Sequence, residues 1–169
     1  MSEGDNLSPG ARAVASFELE EIFLISTECW VARDYNPTAP IVDFVYGHRS
    51  AVEDGALIQE RIPVGTEAPI YVLRYFVDAD IRVLKPGMKF EEHEPTDEQT
   101  LAVVKMKMGA DYRCPKEMAE DIEVVGAFTR NVQYHVWPYI RESAHSFFLR
   151  LRIPRLVLPM MRPEQPTRK

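Results

Sequence analysis

Between residues 69 and 85, apolar and polar side chains alternate. Tyr71, Leu73, Tyr75, Val77, Ala79, Ile81 and Val83 share one parity, and Arg74, Asp78, Asp80 and Arg82 lie on the other. A period of two sends the two sets to opposite faces of a strand, one buried and one wet. Residues 100–113 repeat the pattern. Ala102, Val104, Met106, Met108, Ala110 and Tyr112 form the apolar row, opposite Lys105, Lys107, Asp111 and Arg113. The intervening stretch, 86–99, is a Pro- and Gly-marked acidic turn, so the two strands form an antiparallel pair. A longer strand is expected over 13–33. Phe17, Leu19, Phe23, Ile25, Cys29 and Val31 fall on one parity, and Glu18, Glu20, Ile22, Leu24, Ser26, Glu28 and Trp30 on the other. The connection 34–65 contains Pro37, Pro40, Gly47, Gly55, Pro63 and Gly65. Its apolar run at 41–47 reads either as a short strand or as a crossover covering a hydrophobic surface.

After residue 115 the period changes. Met118, Ile122 and Val125 have helical spacing, and Gly126 is placed to stop a short helix. Asn131 is placed to cap a longer one. Trp137, Ile140, Ala144, Phe147, Phe148 and Leu151 form its apolar stripe, with Pro138 marking a kink or the true first turn. Pro154, Pro159, Pro163 and Pro166 forbid a helix beyond it. The organisation expected is a flexible leader over 1–12, a single α+β domain over 13–161 and a tail over 162–169, with no internal repeat.

A chain of 169 residues with 46% apolar side chains is long enough for one domain with a proper core. Its polar start does not read as a secretory signal, and no apolar run reaches the roughly 20 residues that span a bilayer. Cys29 and Cys114 are isolated, which argues against a disulfide framework and against a cysteine-rich zinc site. The cytoplasm is the expected compartment. The net charge of −6 is uneven: residues 1–100 carry 8 basic and 19 acidic side chains, residues 101–169 carry 12 and 7. An acidic protein lacks the basic surface that general nucleic-acid binding needs.

No motif of catalysis is present: no phosphate-cradling glycine loop, no nucleophile elbow, no zinc-protease helix. The cluster Glu91, Glu92, His93 and Glu94 reads as an exposed acidic loop, and Cys114, without a histidine partner, as a small packed residue. No cofactor or metal is expected. What stands out is the amount of aromatic and methionine surface. Helices cover only one face of a sheet, and Trp30, Phe44, Tyr46, Trp137, Phe147, Phe148, Met160 and Met161 compete for that cover. On composition alone they read as ordinary core residues; the alternative is that oligomerisation or a binding groove accounts for an excess.

Residues 131–161 resemble the SecB family of export chaperones. The matching features are Asn131, then Pro138, Tyr139, Arg141 and Glu142 as Pro-Tyr-x-Arg-Glu, a helix, and Pro154, Leu156 and Leu158 as Pro-x-Leu-x-Leu. The resemblance implies a four-stranded antiparallel sheet with a short and a long C-terminal helix on one face, assembled as a homotetramer, a dimer of dimers. It implies an interface through the first strand and long helix, where Phe23, Ile25, Tyr139, Arg141 and Glu142 lie. It implies an ATP-independent holdase whose grooves take extended, unfolded polypeptide. Trp30, Phe44, Tyr46, Trp137, Phe147 and Phe148 are the groove candidates. Glu20 and Glu21 are the candidates for contact with the translocase motor, SecA. The chain departs from the export-dedicated pattern in two ways. It ends without the Cys/His zinc tail, and Lys105 stands where an acid is expected. The resemblance therefore leaves two client classes open, exported preproteins and the antitoxin of a toxin–antitoxin pair. The rival from another class is a small-molecule binder or thioesterase-like enzyme using Glu142 or His145.

Overall fold

The computed structural model describes residues 7–38, 45–65, 68–88, 95–153 and 157–161. The elements run α1 (Pro9–Ser16), β1 (Glu18–Val31), β2 (Tyr46–Val52), β3 (Leu57–Arg61), β4 (Ile70–Leu84), β5 (Thr100–Cys114), α2 (Lys116–Ala119) and α3 (Ile122–Arg150). The two strictly alternating segments became the long central pair β4 and β5. Their shared face is sealed: Leu73, Tyr75, Val77, Ile81, Val83, Val104, Ala110 and Tyr112 have no exposed surface.

The sheet is antiparallel, in the order β1-β5-β4-β2, with β3 also pairing β4. It has five strands rather than the four expected, yet it is four ranks wide. β2 pairs Val77–Val83 of β4 and β3 pairs Ile70–Arg74 of the same strand, so the two lie end to end on one edge. Gly55, at φ 82°, sits in the turn between them. The 34–65 connection is thus largely a broken edge strand.

β1 runs beside β5 with two register irregularities, at Leu19/Glu21 and Leu24/Ser26. Each extra residue reverses which parity faces the helices. Leu19, Ile22, Leu24, Thr27, Cys29 and Val31 pair with the helix-side row of β5, whereas Phe23 and Trp30 pair with Gly109 and Val103 on the opposite face. The single-parity expectation for 13–33 is corrected accordingly.

α3 lies across the β4/β5 face. It is one helix of 29 residues. The expected stop at Gly126 and cap at Asn131 both lie inside it, and so does Pro138. Asp121 caps it by accepting from the N–H groups of Glu123 and Val124 at 3.1 and 3.2 Å. Val124, Val125, Phe128, Val132, Val136, Trp137, Ile140, Ala144 and Phe148 form its buried stripe. Each contributes roughly 1.5–3 kcal/mol or somewhat less. Together they outweigh the ~3 kcal/mol of an interior proline and the ~1 kcal/mol of an interior glycine.

α1 occupies part of the stretch read as a leader. Ser8 caps it, and Arg12 bridges to Asp121 at 2.8 Å, tying it to the start of α3. Phe17 meets Phe128 edge-on at 4.8 Å, and Phe128 meets Tyr112 at 5.0 Å, so the core continues from α1 through α3 into the sheet. The Tyr75 hydroxyl donates to the Val125 carbonyl at 2.9 Å, which satisfies a polar atom deep in that core.

Candidate functional site

At its C-terminal end α3 closes in a Schellman arrangement. Arg152 takes a left-handed conformation at φ 57°, its N–H donates to Leu149 at 3.0 Å, and the Ile153 N–H donates to Phe148 at 2.9 Å. Residues 157–161 then lie against the side of α3, running back towards its start. Three consecutive carbonyls of this strap accept side-chain hydrogen bonds. Val157 accepts from the Tyr46 hydroxyl at 2.8 Å, Leu158 from Arg141 Nε at 3.0 Å, and Pro159 from Trp137 Nε1 at 2.9 Å. Leu158 is only 3% exposed, whereas Val157 and Met160 are 61% and 67% exposed. Leu158 is thus the side chain that the strap turns in, between exposed neighbours.

The floor under the strap comes from α3 and β2. Trp137 and Arg141 are four apart and share a helix face. His48, on β2, packs its ring against Trp137 with centroids 4.8 Å apart. Burial pushes the His48 imidazole below its ordinary pKa, so the neutral ring is favoured beside the indole. Tyr46 stands at the first position of β2.

The residues picked from sequence fall in different places. Tyr46 and Trp137 are brought together under the strap, and Arg141, picked for an interface, joins them. Trp137 and Phe148 are 2% and 1% exposed within the single chain, so neither is open lining. Phe147 is half-buried, with the Arg150 guanidinium 6.0 Å from its ring. Trp30 is half-buried on the other face of the sheet, beside a hollow of about 400 Å³ shared with Arg33, Asp34 and Lys85. Phe44 lies outside the described residues, as does the cluster at 91–94. Ile25 and Tyr139 are 43% and 45% exposed, and Glu142 is exposed. Phe23 turns away from the helices onto Gly109, with the Arg74 guanidinium 4.7 Å from its ring. Glu20 is engaged by Arg113 at 2.7 Å and Arg61 at 3.6 Å, and Glu21 is exposed. Sequence reasoning missed His48 and the engagement of Leu158. The Pro-x-Leu-x-Leu stretch was visible, but nothing in it named its partners.

The face of the sheet away from α3 is polar and internally paired. Asp111, 1% exposed, accepts from Arg74 at 2.7 and 2.8 Å and from Arg61 at 2.6 Å. Burial works against its charge, but those hydrogen bonds win and hold its pKa below the usual carboxylate value. A trough of about 570 Å³ crosses this face, bordered by Glu28, Arg49, Asp78, Asp80, Lys105 and Lys107. Lys107 pairs with Glu53, and Asp80 with Arg82 at 2.9 Å, so its charges answer one another rather than converge.

Apolar surface is exposed elsewhere. On the helix side of β1, Leu19 and Leu24 are 44% and 41% exposed, and Leu149 of α3 is 54% exposed. On the opposite edge Leu57, Ile58 and Ile62 are 50%, 48% and 67% exposed. Among the described residues neither outer strand has a neighbour on its far side, the arrangement that receives another chain. Among the described residues no group of His, Cys, Asp and Glu is arranged to hold a metal ion, and no helix is long and apolar enough to cross a membrane.

No protein-family model matches the sequence, and no curated protein matches it. A solved structure does: the Mycobacterium tuberculosis Rv1957 SecB-like chaperone in complex with a ChAD peptide from the Rv1956 HigA1 antitoxin. The two are similar at a TM-score of 0.64 and 19% identity, over 93% of this chain and 99% of that one. The α+β layer described above, an antiparallel sheet with its long C-terminal helix on one face, is thus the SecB-like fold.

Proposed function

We propose that this protein is an ATP-independent chaperone that holds unfolded or non-native polypeptides in extended form. The observation that carries the reading is the strap: α3 and β2 already hold a segment of irregular backbone through carbonyl hydrogen bonds and one buried leucine. The similar fold of a chaperone solved with a peptide bound supports it. The exposed apolar edges of β1 and β3 supply more area of the kind that takes extended chains.

The working form is a homotetramer in the cytoplasm. Leu19, Leu24, Ile25, Tyr139 and Leu149 offer more exposed apolar area than one subunit comfortably leaves in water. Phe23, picked for the interface, belongs to the opposite face of the sheet and Arg141 to the strap, so the contact falls on the other residues. A client of the antitoxin class is favoured by the peptide bound to the similar chaperone. Export of preproteins is the second reading. A SecA contact through Glu20 would have to break its pairs with Arg113 and Arg61, which leaves Glu21 as the accessible acid. The enzymatic rival is disfavoured by Glu142, which faces solvent rather than an apolar pocket.

The test combines two measurements: mass in solution, and light scattering from an aggregating unfolded protein without nucleotide. The reading expects a tetramer that delays aggregation at near-stoichiometric amounts. A monomer that leaves aggregation unchanged would favour the small-molecule rival.

A further inference from the structure

The strap has a property that packing alone does not require. Among the described residues, its hydrogen bonds run through consecutive carbonyls, each met by a side-chain donor from a different position. Among the described residues none of its N–H groups has a partner, and one of its residues, Pro159, has no N–H. Met160 adds a contact between its sulfur and the Arg141 guanidinium. A site of this kind recognises backbone carbonyls plus one apolar side chain at the Leu158 position. It tolerates proline, because no N–H of the bound segment is needed. Such recognition works equally well for a segment of another polypeptide.

We propose that residues 157–161 are an internal occupant of a peptide site built by Tyr46, His48, Trp137 and Arg141, and that a client segment with an apolar residue followed by proline displaces them. This rests on the holdase reading and adds a specificity and a latch to it. The occupant is named by the chain itself: Val157, Leu158, Pro159, Met160 and Met161. The latch is shallow. Of the strap's large side chains, Leu158 is buried and Met161 half-buried, whereas Val157 and Met160 face water. The apparent affinity for a client scales with the fraction of molecules whose strap is open. A strap closed in about nine molecules of ten lowers client affinity roughly tenfold.

The chain has two tryptophans, so Trp30→Phe leaves Trp137 as the only reporter. In that background two strap variants are compared, Leu158→Ala and deletion of residues 157–169. The probes are a blocked peptide, Val-Leu-Pro-Met-Met, and a permanently unfolded protein without tryptophan, reduced carboxymethylated ribonuclease A. Deletion should shift Trp137 emission to longer wavelength, and the peptide should reverse the shift saturably. The unfolded protein, occupying the same site, should reverse the shift of the deleted chain as the peptide does, and in the full-length chain Leu158→Ala should tighten its binding roughly three- to tenfold. If the deleted chain does not fold, the Leu158→Ala comparison carries the test. Client binding that leaves the shift of the deleted chain in place and is not tightened by Leu158→Ala overturns the latch while sparing the holdase reading. Peptide rescue without client binding by any variant supports the site and sinks the holdase reading instead.

Discussion

Asp111 is the residue whose loss should cost most on the open face of the sheet. It is a buried carboxylate engaged by two guanidinium groups. Asp111→Ala leaves Arg74 and Arg61 facing each other without their acid, and should destabilise the fold by about 3–5 kcal/mol in denaturant titration. Its pKa is depressed on folding, so its contribution is complete above the ordinary value of 3.8 and lost as pH falls through the lower folded value. Acid unfolding of the wild type should therefore steepen below about pH 4, and Asp111→Asn should flatten that dependence. Gly109 is a second such position. A Cβ there would sit 2.5 Å from the Phe23 ring, so Gly109→Ala should cost about 1–3 kcal/mol. Adding Phe23→Leu should recover part of that loss. Buried Trp137 behaves as core: Trp137→Ala should cost about 3–5 kcal/mol rather than leave the fold intact.

At the level of elements, β4 and β5 could be read directly because each buries one complete parity between neighbours on both sides. β1 could not, since it is an edge strand with two bulges. A bulge changes register without leaving any mark in hydrophobic spacing. The segment 34–65 was obscured for a related reason. β2 and β3 are short strands on an outer edge, and edge strands need bury little. α3 was read as two helices because Gly126, Asn131 and Pro138 are local punctuation, and nine buried side chains override them. Gly126 itself is exposed, with open space where a Cβ would go. Gly126→Ala should therefore raise stability by roughly 0.5–1 kcal/mol, measurable as a higher Tm. Of the site, the aromatic stripe and the Pro-x-Leu-x-Leu stretch were visible in the chain. Their juxtaposition with Tyr46 and His48 depends on a 90-residue separation that no local pattern encodes.

For the molecule as a whole, apolar side chains on both sheet edges and on α3 leave it incompletely covered as a lone subunit. In the proposed reading, self-association and client binding would both draw on this exposed apolar area, which lies apart from the charged face of the sheet. The face carrying Asp111 and Lys107 is salt-bridged and wet, whereas the helix side of β1 is apolar. Leu19→Glu with Leu24→Glu should accordingly lower the mass in solution by at least half while leaving the circular dichroism spectrum unchanged. The account stands most directly on a fluorescence anisotropy titration without nucleotide, using one labelled protein in both its unfolded and native states. Saturable binding of the unfolded state, with the native state ignored, is the predicted result. Equal binding of both states, or of neither, by a properly folded sample would contradict it.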